Sequence, residues 1–110
     1  MQGDLTPQEV AERLERGGVQ LVDVREPEEY EAGRIAGGRL VPLGELSGQA
    51  GTLSREEPIV FYCRSGARSA MAAEAFRQAG FDAHNLVGGL VAWDAAGLPL
   101  EPDSGYLAEH

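Results

Sequence analysis

The chain has 110 residues, one cysteine and a formal net charge of −9, with arginine as its only basic side chain besides two histidines. That length fits one domain, 1–110, and the charge repels nucleic-acid phosphates and anionic lipid, so neither partner is expected. One cysteine excludes an internal disulfide, a CxxC pair and a multi-cysteine zinc site, and with only His84 and His110 beside it no metal is expected.

No apolar run is long enough to span a bilayer, and Met1-Gln2-Gly3-Asp4 lacks the basic and then apolar pattern of a leader. The default expectation is therefore a cytoplasmic location. In chain order, Thr6 reads as an N-cap with Pro7 at the first helical position and Glu9 closing a capping box. Val10, Ala11 and Leu14 then recur at helical spacing, and Gly17-Gly18 ends the helix. Val19 to Val24 reads as a buried strand.

Arg25 to Tyr30 predicts a loop turning into a short acidic helix, with Pro27 near its first turn and Gly33 at its end. The carboxylates from Glu26 to Glu31 read as a solvated face near the positive end of the helix dipole. A short strand around Leu40-Val41 is stopped by Pro42. Residues 44–57 give weak signals, with a short helix near Glu45-Leu46.

Ile59 to Tyr62 is the clearest strand. A helix is expected from Ser69 to Ala79 with Ala72, Phe76 and Ala79 on its inner face. Gly80 is its C′ residue and Phe81 the apolar partner of a Schellman cap. Ala83 to Val87 predicts a further strand, with His84 as a structural residue on it. Gly88-Gly89 then make a tight turn and Leu90 to Ala96 a final helix, with Trp93 in the core. Leu98 to His110 reads as an extended tail. Alternating strands and helices of this kind predict an α/β domain with a mainly parallel sheet.

Ligands of such sheets bind beyond the carboxyl ends of the strands, which is where Cys63 falls. Taken alone, a lone cysteine reads as an inert core thiol. Here it opens the run Cys63-Arg64-Ser65-Gly66-Ala67-Arg68, between a strand and a helix. Converging N–H groups, a helix N-terminus and two arginines favour the thiolate, which is the nucleophilic form. Cysteine phosphatases and arsenate reductases space cysteine and arginine as C-x5-R. Here the spacing is C-x4-R, and Ser69 occupies the next position. The shorter loop leaves room for little more than one added sulfur atom.

Three ordered segments carry a resemblance that covers nearly the whole chain. They are Asp23-Val24-Arg25-Glu26 with Glu29-Tyr30 and Gly33-Arg34-Ile35-Ala36-Gly37, then Cys63 to Ser69, then Gly88-Gly89-Leu90-Val91-Ala92-Trp93. The sequence resembles the single-domain rhodaneses, sulfurtransferases of the thiosulfate type. It departs from the family pattern at Arg34, where histidine is frequent, and across Gly37 to Pro42.

The resemblance implies a mainly parallel five-stranded sheet flanked by helices on both faces, with the active-site loop at a strand's C-terminal end. It implies a Cys63 nucleophile that takes sulfur from a small anionic donor such as thiosulfate and passes it to cyanide, a small thiol or a protein acceptor. Backbone N–H groups of Arg64, Ser65, Gly66, Ala67, Arg68 and Ser69 would hold the sulfur, with Arg64 and Arg68 binding the donor's oxygens. Asp23 and Arg25 would support the loop rather than react. Covalent catalysis of this type needs no cofactor. Two alternatives remain open at this point: a non-enzymatic persulfide carrier, and a phosphatase or arsenate reductase.

Overall fold

A computed structural model of the chain describes residues 3–102 and 104–108. Met1, Gln2 and His110, on which the leader and metal expectations partly rest, lie outside the described residues. Five strands form one parallel sheet: β1 (Asp4–Leu5), β2 (Gln20–Asp23), β3 (Arg39–Leu40), β4 (Ile59–Tyr62) and β5 (Ala83–Leu86), in the order β1-β5-β4-β2-β3. Four of these fall where the sequence predicts strands. β1 does not: two residues, one of them charged, give no periodicity, and only pairing with β5 makes them a strand.

β4 is central and buried along its whole length, which is why its four residues are all apolar or aromatic. Its side chains alternate. Ile59 and Phe61, followed by Cys63, pack with Ala72, Ala73 and Phe76 of α4 (Ala67–Gln78) on one face. Val60 and Tyr62 pack on the other with Val10 of α1 (Pro7–Arg16) and with Leu90 and Trp93 of α5 (Gly89–Ala95). Helices thus cover both faces, with the short α2 (Pro27–Ala32) and α3 (Leu46–Gln49) completing the set.

Local signals were decisive at the helix ends. Glu9 N–H donates to Thr6 Oγ1 (3.2 Å) and Thr6 N–H to Glu9 Oε1 (2.9 Å), closing the capping box of α1. At the end of α4, Phe81 N–H reaches the Phe76 carbonyl (2.9 Å) and Gly80 N–H the Arg77 carbonyl (3.1 Å). The Phe76 and Phe81 rings meet at 4.8 Å, so the Schellman cap and its apolar contact are both present.

Two details of α4 differ from expectation. It begins at Ala67 rather than Ser69, because Gly66 turns the chain with φ 104° and leaves the next three residues as a helical first turn. Ala79, expected on the inner face, is exposed; Ala73 takes that place beside Ala72 and Phe76.

The tail is folded back rather than simply extended. Leu98, Leu100 and Leu107 pack on the α1–α5 side of the core. Glu101 and Arg34 exchange backbone hydrogen bonds (2.7 and 3.0 Å), and Tyr106 N–H reaches the Ala32 carbonyl (2.9 Å). Gly33 makes the approach feasible, since a Cβ there would run into the Tyr106 backbone. Arg34, one of the departures from the family pattern, lies over the Tyr30 ring at 4.7 Å and pairs with Glu101 at 3.7 Å.

At the end of β2, Asp23 and Arg25 form an ion pair with both side chains fully buried, closest approach 2.6 Å. Arg25 also donates to the Gly33 carbonyl (2.8 Å), which ties β2 to the end of α2. Removing one partner strands a buried charge. We expect Asp23→Ala to cost about 3–5 kcal/mol in urea unfolding. Adding Arg25→Met to the same chain should recover part of that loss.

Candidate active site

Cys63 immediately follows β4, and the next turn of chain is bent around its sulfur. Gly66 N–H lies 3.1 Å from Sγ, and the amides of Arg68 and Ser69, in the first turn of α4, also favour its charged form. Those amides lack helical partners because they open the helix, so the sulfur takes the place of an N-cap acceptor. The Ser69 hydroxyl adds a contact at 3.4 Å. Cys63 is only 1% exposed.

Burial pushes the Cys63 thiol up. Hydrogen bonds from the Ser69 side chain and from the Ser69, Gly66 and Arg68 amides outweigh it and leave the thiol below its ordinary value. A thiol so held supplies thiolate nearer neutral pH than a free cysteine does.

The first two residues of the loop are held from outside by α5. Leu90 N–H of α5 donates to the Cys63 carbonyl (2.8 Å) and Val91 N–H to the Arg64 carbonyl (2.9 Å). This approach passes over Gly89, where a Cβ would sit 2.5 Å from the Cys63 carbonyl oxygen and 2.6 Å from that of Arg64. Gly89 also has φ 60°, in the left-handed region.

The two arginines have different partners. Arg68 places its terminal nitrogens 3.0 Å from each oxygen of Glu29 on α2. Arg64 Nε donates to the Ala108 carbonyl of the tail at 3.2 Å. Ser65 and Ala67 are exposed at the loop's outer edge, while Gly66 and Ser69 are buried. The Asp23–Arg25 pair lies at the neighbouring strand end, with the Arg25 guanidinium 5.5 Å from the Tyr62 ring centre. His84 bonds Asp82 at 2.7 Å. Among the described residues no three His, Cys, Asp or Glu side chains converge as a metal site.

Three contributors were not legible as site residues. Glu29 belongs to the stretch expected to be a solvated face, yet it is 2% exposed. Its register with Arg68, 39 residues away, left no local trace. Asn85 bonds Ser69 Oγ at 2.6 Å, and its only signal is a polar residue two positions from inward-facing Ala83 on a strand. The tail at Ala108 had none.

Burial pushes the Glu29 carboxyl up, but Arg68, the Glu26 backbone and the Arg25 charge outweigh it and hold the carboxyl below the usual range. A depressed carboxyl stabilises the fold above its unfolded value of about 4.3 and loses that contribution as pH falls through the folded value. The stability gap between wild type and Glu29→Gln should therefore be full at neutral pH, about 1–3 kcal/mol, and shrink below about pH 4 in acid-titrated unfolding. Gly89→Ala should cost at least about 1–2 kcal/mol through its backbone conformation alone and raise the Cys63 thiol, read by alkylation rate against pH.

A family model described as the rhodanese-like domain matches residues 6–96. An HTH-type transcriptional regulator of Mycobacterium tuberculosis is 42% identical over 100 residues, covering 88% of this chain and 44% of that protein. A sulfurtransferase of Allochromatium vinosum is 33% identical over 107 residues, covering 96% of this chain and 100% of that protein. The crystal structure of a rhodanese-related protein from Thermoplasma volcanium matches with a TM-score of 0.82 at 30% identity, covering 88% of this chain and 95% of that one. The chain spans 44%, 60% and 26% of the lengths of the first curated relatives it matches. The family model takes in the buried pair after β2, the amide-ringed cysteine and the glycine pair of α5, and on that match the chain belongs to the rhodanese-like domain family.

Proposed function

We propose that this domain is a sulfurtransferase in which Cys63 carries sulfur from a thiosulfate-type donor to a thiol-type acceptor. The observation that supports this most is the closed set of amides around Sγ, sized by a C-x4-R loop. In the first step the Cys63 thiolate attacks the outer sulfur of the donor. An S–S bond forms, the donor's own S–S bond breaks, and the electron pair leaves with sulfite. In the second step an acceptor thiolate, or cyanide, attacks the outer sulfur of the persulfide and returns Cys63 as thiolate. No net oxidation occurs and no cofactor enters.

Arg64 and Arg68 sit at the two ends of the loop, where donor oxygens carry negative charge. Each already has a protein partner, Ala108 for Arg64 and Glu29 for Arg68, so each meets the donor with its remaining N–H groups. The backbone amides of the loop take the larger share of the sulfur's charge because they are fixed before the donor arrives. Asp23 and Arg25 act by holding the strand end beside the loop.

A second reading has one observation in its favour. Cys63 is 1% exposed, so little of its sulfur is open to an acceptor. A carrier that delivers its sulfur to one matched partner protein fits that access better than one serving small thiols at large.

Intact-protein mass spectrometry decides the first step. Incubation with thiosulfate should add the mass of one sulfur atom to the wild type and nothing to Cys63→Ser. Release of that sulfur by cyanide over many cycles supports catalysis; a single discharge with slow turnover supports the carrier. An unchanged mass with thiosulfate and with other sulfane donors overturns both, and Cys63-dependent hydrolysis of an aryl phosphate would replace them with a phosphatase.

A further inference from the structure

The Ser69 hydroxyl has one proton and three acceptors within reach. Its Oγ lies 3.4 Å from Cys63 Sγ, 3.3 Å from the Gly66 carbonyl oxygen and 2.6 Å from Asn85 Oδ1. A hydroxyl donates once, so these contacts compete. With the amide oxygen facing it, the shortest contact takes the proton and Ser69 turns a lone pair toward the sulfur. That arrangement suits a sulfur without charge and opposes a thiolate.

Asn85 lies on β5, in register with Phe61 of β4, and is 7% exposed among apolar neighbours on the α4 side. A buried amide there needs a partner, and Ser69 is that partner. The two ends of a primary amide are nearly equal in shape. A half-turn of the side chain presents Nδ2 to Ser69 Oγ, which then accepts, and the serine proton is released to Sγ.

We propose that Asn85 is a positioning residue for Cys63: the orientation of its amide decides whether Ser69 gives its hydrogen bond to the sulfur or withdraws it. The proposal rests on the reading of Cys63 as the nucleophile. During transfer Sγ passes from thiolate to the neutral inner sulfur of a persulfide and back. An amide accepts from Ser69 in one state and donates to it in the other, so neither state leaves a buried hydroxyl unpaired. Aspartate only accepts and leucine does neither. The share of the Ser69 hydroxyl in the lowered thiol requires the state in which Ser69 donates, and the backbone amides supply the rest.

The charged groups around the sulfur stay unchanged in the test. They are Arg64 and Arg68 of the loop and first turn of α4, Glu29 of α2 behind Arg68, and the Asp23–Arg25 pair at the end of β2. β5 contributes only the neutral Asn85 and α5 the Gly88-Gly89 backbone.

The rate of Cys63 alkylation by iodoacetamide is followed against pH, with Cys63 as the only thiol in the chain. The variants are Asn85→Leu, Asn85→Ala, Ser69→Ala and the two double variants. Ser69→Ala should raise the midpoint by about one pH unit, a tenfold loss of thiolate below it. Asn85→Leu and Asn85→Ala should each raise it by about half a unit, since Ser69 loses the donor behind it and shares its proton with the Gly66 carbonyl. Neither Asn85 substitution should move it further in the Ser69→Ala background. A midpoint unmoved or lowered in both Asn85 variants, or equal shifts with and without Ser69, overturns the proposal. Alkylation reads the sulfur's charge and not sulfur transfer. Failure of thiosulfate to load the wild type would thus sink the function above while leaving this result standing.

Discussion

The direction of two carbonyl groups governs the loop. The opening N–H groups of α5, from Leu90 and Val91, take the carbonyls of Cys63 and Arg64. A peptide unit whose oxygen is fixed on one side presents its N–H on the other, so these two bonds fix the peptide units that end in Arg64 and Ser65. Beyond them the chain bends back at Gly66, whose amide meets the sulfur, and the Arg68 and Ser69 amides of the first turn of α4 favour its charge. Two helix N-termini therefore act together. That of α4 surrounds the thiol, and that of α5 holds the loop so that α4 can do so. The closeness required admits no side chain at Gly89.

The remaining polar groups of the region hold the elements that carry this loop. Arg25 joins Asp23 at the end of β2 to the Gly33 carbonyl at the end of α2. Glu29, one turn earlier on α2, reaches across to Arg68 in the first turn of α4. Tyr62, the residue before the cysteine, accepts the Ile35 N–H at 3.1 Å on the opposite face. β2, α2 and α4 are thereby linked through charge-assisted contacts, which are shorter and stronger than neutral ones, and β4 joins them through the neutral Tyr62 bond. The folded-back tail adds its own contacts to Ala32, Arg34 and Arg64, so the loop's first arginine is held from outside the sheet.

Much of this was legible in order along the chain. The capping box at Thr6, the Schellman cap at Gly80 and the uninterrupted apolar run of β4 are local patterns, each decided by residues within a few positions of one another. The cysteine loop was legible for the same reason. β1 was not, because its two residues become a strand only beside β5. The true start of α4 was missed because a left-handed turn at Gly66, bracketed by the α5 backbone, decides it.

The sequence by itself determined the alternating elements and the C-x4-R spacing of the loop that cradles Cys63. Tertiary structure alone decided which charges face that cradle. Glu29 reads as one more solvated carboxylate until α2 is laid beside α4, and Asn85 as one polar strand residue until β5 brings it to Ser69. The physical reason is range: caps and turns are settled by neighbours in the chain, whereas an ion pair or a shared proton is settled by atoms a few ångströms apart that belong to distant residues.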